Sequence, residues 1–343
     1  MSRRAQAGRW LLALLVFTLA SPLAIAGPWL VSRCELAIDP LSSNAGSETG
    51  LGGCIRGGLG LEATTSAETK KEGNWIPYGS VYGGLFAGPY ISGHVLSRWR
   101  DVHALNSGEL RSASKFVDYA VLQIGNPALD RYRVTFGRMR IPFGLDLSLA
   151  PQFYQNLENR RFWRSPPIGT YVTFDDLRRF RLDIGLASKL ARELENTQGQ
   201  SGSESAFSIR GALDLSALEG TRIIASIYAA TKGERRYGLA LSNTNRKGDQ
   251  TTFEFVRRQI FASGQYAPFE QLLRLAYTGT WQKSGRWVIQ FDDERLRFRR
   301  IVANLDKPIF NHLVMKIAVG FKAMTDETRE SSLTLTCGVE TIL

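Results

Sequence analysis

From about Gly57 to Leu343, apolar side chains alternate with small, polar or charged ones at a period of two, the spacing of a pleated strand with two unlike faces. Leu273, Leu275, Tyr277, Gly279 and Trp281 form one parity against Arg274, Ala276, Thr278, Thr280 and Gln282. Leu313 to Phe321 repeats the pattern against Lys316, Ala318 and Gly320, as do Phe207 to Leu215 and Phe180 to Leu186. Each run approaches the roughly ten residues of a tilted membrane-crossing strand, whereas strands in soluble sheets average nearer five or six. No stretch after Gly27 reaches the roughly 20 apolar residues of a transmembrane helix. The pattern predicts an all-β chain, a transmembrane antiparallel β-barrel of roughly 16 strands within a range of about 12 to 18. Leu333, Leu335, Cys337, Val339, Thr341 and Leu343 carry the alternation to the last residue, as closure of a ring onto its first strand requires.

Turn chemistry separates the runs: Asn126-Pro127, Lys232-Gly233-Glu234, Asn245 to Gly248, Ala267-Pro268 and Ser284-Gly285. Tyr78, Tyr82, Tyr90, Trp99, Tyr119, Tyr132, Tyr237, Tyr266, Trp281 and Trp287 fall near run ends, where interfacial girdles lie. Three segments break the rhythm: 28–66, 142–167 and 190–205. Long connections on a barrel stay outside or fold inward and narrow it. Phe174 to Arg181 and Phe291 to Arg299 resemble one another and read as two hairpins turning at Asp175-Asp176 and Asp292-Asp293.

Arg3, Arg4 and Arg9 precede the apolar run Trp10 to Ala20, and Ala24-Ile25-Ala26 offers a small-x-small cleavage site. Residues 1–26 are therefore expected to be a signal peptide for Sec-dependent export, 27–56 an N-terminal periplasmic or plug-like segment, and 57–343 the barrel.

Forty-three basic residues against 32 acidic ones give a net charge of +11. Loss of the three leader arginines leaves 40 against 32, or +8. Export directs this surplus away from nucleic acid and toward an anionic membrane surface or an anion-attracting lumen. Cys34 and Cys54 can pair in an oxidising periplasm or remain two thiols. The three histidines, His94, His103 and His312, form no metal-binding spacing, and neither a Gly-x-Ser-x-Gly elbow nor a nucleophile pattern adjoins them. No metal, cofactor or catalysis is expected.

Arginine is the candidate chemistry, because its guanidinium is always charged and grips oxyanions in pairs. Arg131 and Arg133 alternate with Tyr132 and Val134, and Arg295, Arg297 and Arg299 alternate with Leu296 and Phe298. A charge facing mid-membrane lipid costs a few kcal/mol, so these side chains belong in the lumen or near a rim. In Gly137 to Gly144 the apolar parity switches from even to odd, which predicts a bulge or bend at Gly137.

Gly137-Arg138-Met139-Arg140-Ile141-Pro142-Phe143-Gly144, followed by Asn159-Arg160-Arg161-Phe162-Trp163-Arg164, resembles the phosphate-selective porin O and P family and related general porins of the Gram-negative outer membrane. The resemblance is strongest over Arg131 to Leu186. It implies a 16-stranded barrel, commonly a homotrimer, with a basic constriction passing small anions. Arg138 and Arg140 then lie near the constriction, and Arg160, Arg161 and Arg164 on a loop that folds inward. The chain lacks the lysine cluster and arginine–tyrosine ladder of a dedicated phosphate channel. The expected function is passive diffusion of small hydrophilic solutes with modest anion preference. The expected partners are outer-membrane lipid, lipopolysaccharide and the barrel assembly machinery. The alternative is a non-conducting structural or export-associated barrel.

Overall fold

The computed structural model describes residues 30–32, 50–66, 72–99, 117–126, 129–139, 141–145, 168–176, 179–188, 205–215, 218–231, 233–262, 265–281, 285–295, 298–310, 313–324 and 331–342. Strands β1 (Leu30–Ser32), β2 (Gly50–Ser66), β3 (Glu72–Ala87), β4 (Ile91–Trp99), β5 (Val117–Ile124) and β6 (Tyr132–Arg138) come first. They are followed by β7 (Ile168–Asp175), β8 (Phe180–Ser188), β9 (Ser205–Leu215), β10 (Thr221–Ala230), β11 (Arg235–Thr244) and β12 (Gln250–Gln259). A small hairpin of β13 (Phe261–Ala262) and β14 (Gln265–Tyr266) precedes β15 (Glu270–Trp281), β16 (Gly285–Glu294), β17 (Phe298–Phe310), β18 (Leu313–Met324) and β19 (Ser332–Ile342).

Seventeen of these strands share one sheet. Apart from β1, its sixteen strands are each antiparallel to the next in chain order, β12 passing directly to β15. The last strand, β19, pairs with β2 from Ser332 opposite Ser66 to Ile342 opposite Arg56, which closes the ring. β1 runs parallel to Leu51, Gly52 and Gly53 of β2, the part of that strand extending past the end of β19. Otherwise that stretch of β2 would present an unpaired edge.

β2 begins at Gly50, inside the segment 27–56 expected to precede the barrel. Gly50, Gly52, Gly53, Gly57, Gly58 and Gly60 have no side chain to report a period of two, so the start of β2 is invisible to hydrophobic patterning. The turn predicted over Asn245 to Gly248 holds: Asn245 Oδ1 accepts the amides of Lys247 and Asp249 at 2.9 and 3.0 Å. Asp176 Oδ1 accepts those of Arg179 and Phe180 at 2.7 and 2.8 Å, so the β7–β8 hairpin turns at an acidic residue as expected. The likeness to 291–299 ends there, because Asp292 and Asp293 belong to β16 and the chain turns only after Glu294.

Burial alternates along the strands, but the chemistry of the two faces is the reverse of a soluble sandwich. In β11, Tyr237, Leu239 and Leu241 are exposed while Arg236, Ala240 and Ser242 are buried. Ile227, Leu275, Ile289, Ile301, Val319 and Leu335 are likewise exposed, and Glu254, Arg274, Asp292, Lys316 and Glu340 buried. No helix among the described residues is long and apolar enough to cross a membrane. Tyr132, Tyr90, Tyr237 and Tyr266 are exposed near strand ends, as a girdle requires. Tyr82 is not: it is buried on the inward parity, its hydroxyl 2.8 Å from His94 Nδ1.

Candidate functional site

The interior takes its shape from the chain leaving β6. Gly137 has φ 129°, and a Cβ there would lie 2.2 Å from the Ala120 carbonyl oxygen, so glycine alone fits. The pairing of β5 with β6 runs through it without a register shift, so of the bulge or bend expected at Gly137 the bulge is absent. The buried positions keep one parity throughout: Arg133, Thr135, Met139, Ile141, Phe143. What changes is their character, polar on the wall and apolar where the segment crosses the inner surface. The parity switch in the sequence marks the departure from the wall.

Ile141 and Phe143 pack with Ala187 of β8, Ala206 of β9, Tyr228 of β10, Val256 of β12 and Leu272 of β15. Leu145 packs with Ala212, Ile224 and Ala240 of the neighbouring wall. Small wall residues make the room: a Cβ on Gly185 would sit 3.2 Å from Ile141 Cβ, and one on Gly238 3.2 Å from Phe143 Cζ. Polar contacts fix the height of the segment. The Gly144 amide donates to Ser226 Oγ at 2.9 Å, the Leu145 amide to Glu254 Oε1 at 2.8 Å, and the Ser208 hydroxyl to the Pro142 carbonyl. Of the two courses open to the irregular segment, outside or inward, residues 142–145 take the inward one; 146–167 lie outside the described residues.

Beside this segment runs a row of inward charges set by strand register. Glu254 of β12 opposes Arg274 of β15, which opposes Asp292 of β16, then Arg300 of β17, then Lys322 of β18. Arg274 Nε donates to Asp292 Oδ1 at 2.9 Å, Arg300 donates to the other carboxylate oxygen, and Gln290 Nε2 completes the shell at 2.9 Å. Asp183 is held similarly by Arg181 Nε at 3.0 Å, Arg210 Nη1 at 3.3 Å and the Thr173 hydroxyl at 2.6 Å. Lys316 pairs with Glu340 at 2.9 Å. Among the described residues the buried charges balance: Arg133, Arg236, Arg274, Arg300 and Lys316 against Asp183, Glu254, Asp292, Glu294 and Glu340.

Toward the end carrying the longer connections, Glu234 accepts Arg236 Nε at 2.8 Å and Arg258 Nε, while Arg258 Nη1 reaches Glu270 at 2.9 Å. Burial pushes the Glu234 carboxyl up, but the hydrogen bonds and charge of Arg236 and Arg258 outweigh it and hold the group below the ordinary carboxylate range. A depressed folded-state value means stability that is complete at neutral pH and lost as pH falls through it. The urea midpoint of the folded barrel is therefore expected to drop on acidification below the carboxylate range. In Glu234→Gln that part of the drop should be missing.

Of the arginines singled out in the sequence, Arg133 lines the interior, buried and 3.4 Å from Asp175. Arg131 and Arg295 are exposed in turns, and Arg138, half-buried at the end of β6, is out of step with the inward positions. Arg299 points outward, 67% exposed and 3.5 Å from Asp293, because β17 starts at Phe298 and the inward parity passes to Arg300. Arg140, Arg160, Arg161, Arg164 and Arg297 lie outside the described residues. Cys54 is disulfide-bonded and Cys337 is free; Cys34 lies outside the described residues. The charges that pattern reading passed over are Arg236, Arg300 and Glu340, and Asp292 was expected in a turn; Asp183 and Glu254, expected as carboxylates that brace the wall by pairing with arginines, do so. His94 does meet a hydroxyl, its Nε2 2.8 Å from Ser92 Oγ, because residues two apart share a strand face. Both are nearly sealed, at 3% and 6% exposure, so the network braces β3 against β4.

No family model matches the chain, and no curated protein matches it in sequence. Solved structures do match in fold. OprB of Pseudomonas putida superposes with a TM-score of 0.62 at 9% identity, covering 85% of this chain and 94% of that one. A triple mutant of the Rhodopseudomonas blastica porin gives 0.53 at 8%, covering 84% and 99%. OmpT, an outer membrane protein of Vibrio cholerae, gives 0.53 at 8% in its trimer form, covering 85% and 99%. The chain therefore has the closed antiparallel barrel fold that these proteins share.

Proposed function

We propose that the chain is an outer-membrane porin that lets small hydrophilic solutes diffuse through its lumen, with no catalytic step. The observation that carries this reading is the inverted wall: a closed ring with an apolar exterior and charged interior. Only a surrounding of hydrocarbon makes that distribution favourable, and only a closed ring leaves no backbone edge in it. Sec-dependent export, folding by the barrel assembly machinery and a homotrimeric state belong to the same proposal. The trimer form of the Vibrio cholerae neighbour supports the last.

Selectivity among charged solutes is proposed to be weak and toward anions. Arg300 and Lys322 stand opposite one another across β17 and β18, and the chain without residues 1–26 carries a surplus of +8, 40 basic against 32 acidic residues. The balanced buried pairs argue against a strong field, and phosphate-specific passage has no support in the wall described above. Refolded protein in a planar bilayer under a salt gradient is expected to conduct, with a small reversal potential of anion sign that shrinks in Arg300→Gln. Insertion without conductance would favour a closed structural barrel, for which the docked segment Met139 to Leu145 is the favouring observation.

A further inference from the structure

The two strands that close the ring differ in length. β19 reaches only to Ile342 opposite Arg56, while β2 continues to Gly50 and keeps its pairing with β3, from Ile55 opposite Val81 to Gly50 opposite Phe86. The overhang carries Gly50, Gly52 and Gly53, so no side chain shields its free backbone edge, and such an edge is a template for any other extended chain. β1 covers it, from Leu30 opposite Leu51 to Ser32 opposite Gly53. Three residues in parallel register hold weakly, because parallel ladders are the less stable kind per residue and the whole connection 33–49 must be closed to form this one. Such a strand needs a second hold.

Sulfur chemistry lies next to it. Cys54 directly follows Gly53, the last residue of β2 that pairs with β1. It sits on the inward parity opposite Tyr82 of β3, is 3% exposed and is disulfide-bonded. The chain has three cysteines and Cys337 is free, which leaves Cys34 as the partner within the chain, two residues after Ser32. A bond between these two positions would shorten the connection from β1 to β2 from 33–49 to the few residues flanking the sulfurs. By loop-closure entropy that favours docked β1 by roughly tenfold or more.

We propose that Cys34 and Cys54 form a redox staple that holds β1 in the seam, so that the overhang of β2 is sealed only once the two thiols are oxidised. Forming the bond takes two electrons and two protons from the thiols. The acceptor is the disulfide of a thiol–disulfide oxidoreductase in an oxidising compartment, which leaves as a dithiol. In the reduced chain β1 detaches, and the edge from Leu51 to Gly53 opens to an extended segment of another chain. The proposed export enters only as the place where oxidation happens; the bond and its hold on β1 are properties of the folded chain.

The test uses the full-length protein folded in detergent, with Cys34→Ser and, as a control on the free thiol, Cys337→Ser. Alkylation of the denatured, unreduced wild type followed by peptide mass spectrometry should label Cys337 alone and recover Cys34 linked to Cys54. Amide hydrogen exchange across 30–32 and 51–53 should then be roughly tenfold or more faster in Cys34→Ser than in wild type or Cys337→Ser, with Arg56 to Ser66 unchanged. Dithiothreitol added to the folded wild type should bring the same change, slowly because Cys54 is buried. Three reactive thiols, or Cys54 linked to Cys337 or to a second copy, would overturn the proposal. So would equal exchange in wild type and Cys34→Ser, or faster exchange along all of β2 and β19, which marks loss of the barrel and not of β1. Conductance is not among these readouts, so a barrel that never conducts overturns the porin reading and leaves the staple standing.

Discussion

Replacing Asp292 with alanine is expected to destabilise the barrel by about 3–5 kcal/mol, the usual cost of removing one partner from a buried charge cluster. Asp292 is fully buried and carries Arg274 on one oxygen and Arg300 on the other, so its loss takes the nearest carboxylate from two guanidinium groups and leaves Arg274 the longer pairing with Glu254 at 3.9 Å. Asp292→Asn keeps the shape and one accepting oxygen and should recover part of the loss. The urea midpoint of the detergent-folded protein measures both. The same substitution removes the negative member between two cations and should move the reversal potential toward the anion. A midpoint within error of the wild type would mean that the row of charges contributes nothing to holding β15, β16 and β17 together.

Phe143→Ala is expected to loosen the inward segment by about 3 kcal/mol, the lower range for deleting a buried aromatic side chain. The ring is packed edge-on to Tyr228, 6.4 Å between centroids, and fills the space over Gly238. A change of that size shifts the docked–undocked equilibrium about a hundredfold. Single-channel records should show larger and noisier conductance. Gly238→Leu should act in the same direction by a different route, since its side chain would compete for the volume Phe143 occupies. Conductance unchanged in both variants would show that Met139 to Leu145 does not limit the passage.

The wall was legible because an apolar outer face against a polar inner one gives the simplest of patterns, a strict alternation. Leu273 to Trp281 and Leu313 to Phe321 fall in β15 and β18 with the expected faces, and Asn245 to Gly248 turns where its residue types demand. The beginning of β2 was not legible, because glycine has no side chain to alternate. The interior was legible only in part. Arg274 and Lys316 stand out as polar members of apolar runs, and both face inward as charge-pair partners. Asp292 was mistaken for a turn residue because its neighbour Asp293 blurs the parity, and Arg299 was preferred to Arg300 because a one-residue shift in where β17 starts exchanges inside for outside. Pairing across strands is nonlocal: nothing within Glu254's own segment says that Leu145 will donate to it. The small residues Gly185, Ala212 and Gly238 on the inward parity were the one available sign that something packs against them.

The contact of Ile342 with Arg56 joins residues from opposite ends of the described chain. If the barrel spans a membrane as proposed, every assembly intermediate before that seam forms has two open margins whose amide and carbonyl groups have no partner in hydrocarbon. Partial rings are therefore penalised far out of proportion to the strands they lack, and the same holds in reverse when the wall is breached. Such a molecule should persist in a bilayer because its exit is slow: its lifetime is set by the barrier to parting one seam, and a measured half-life would describe its durability better than an equilibrium constant.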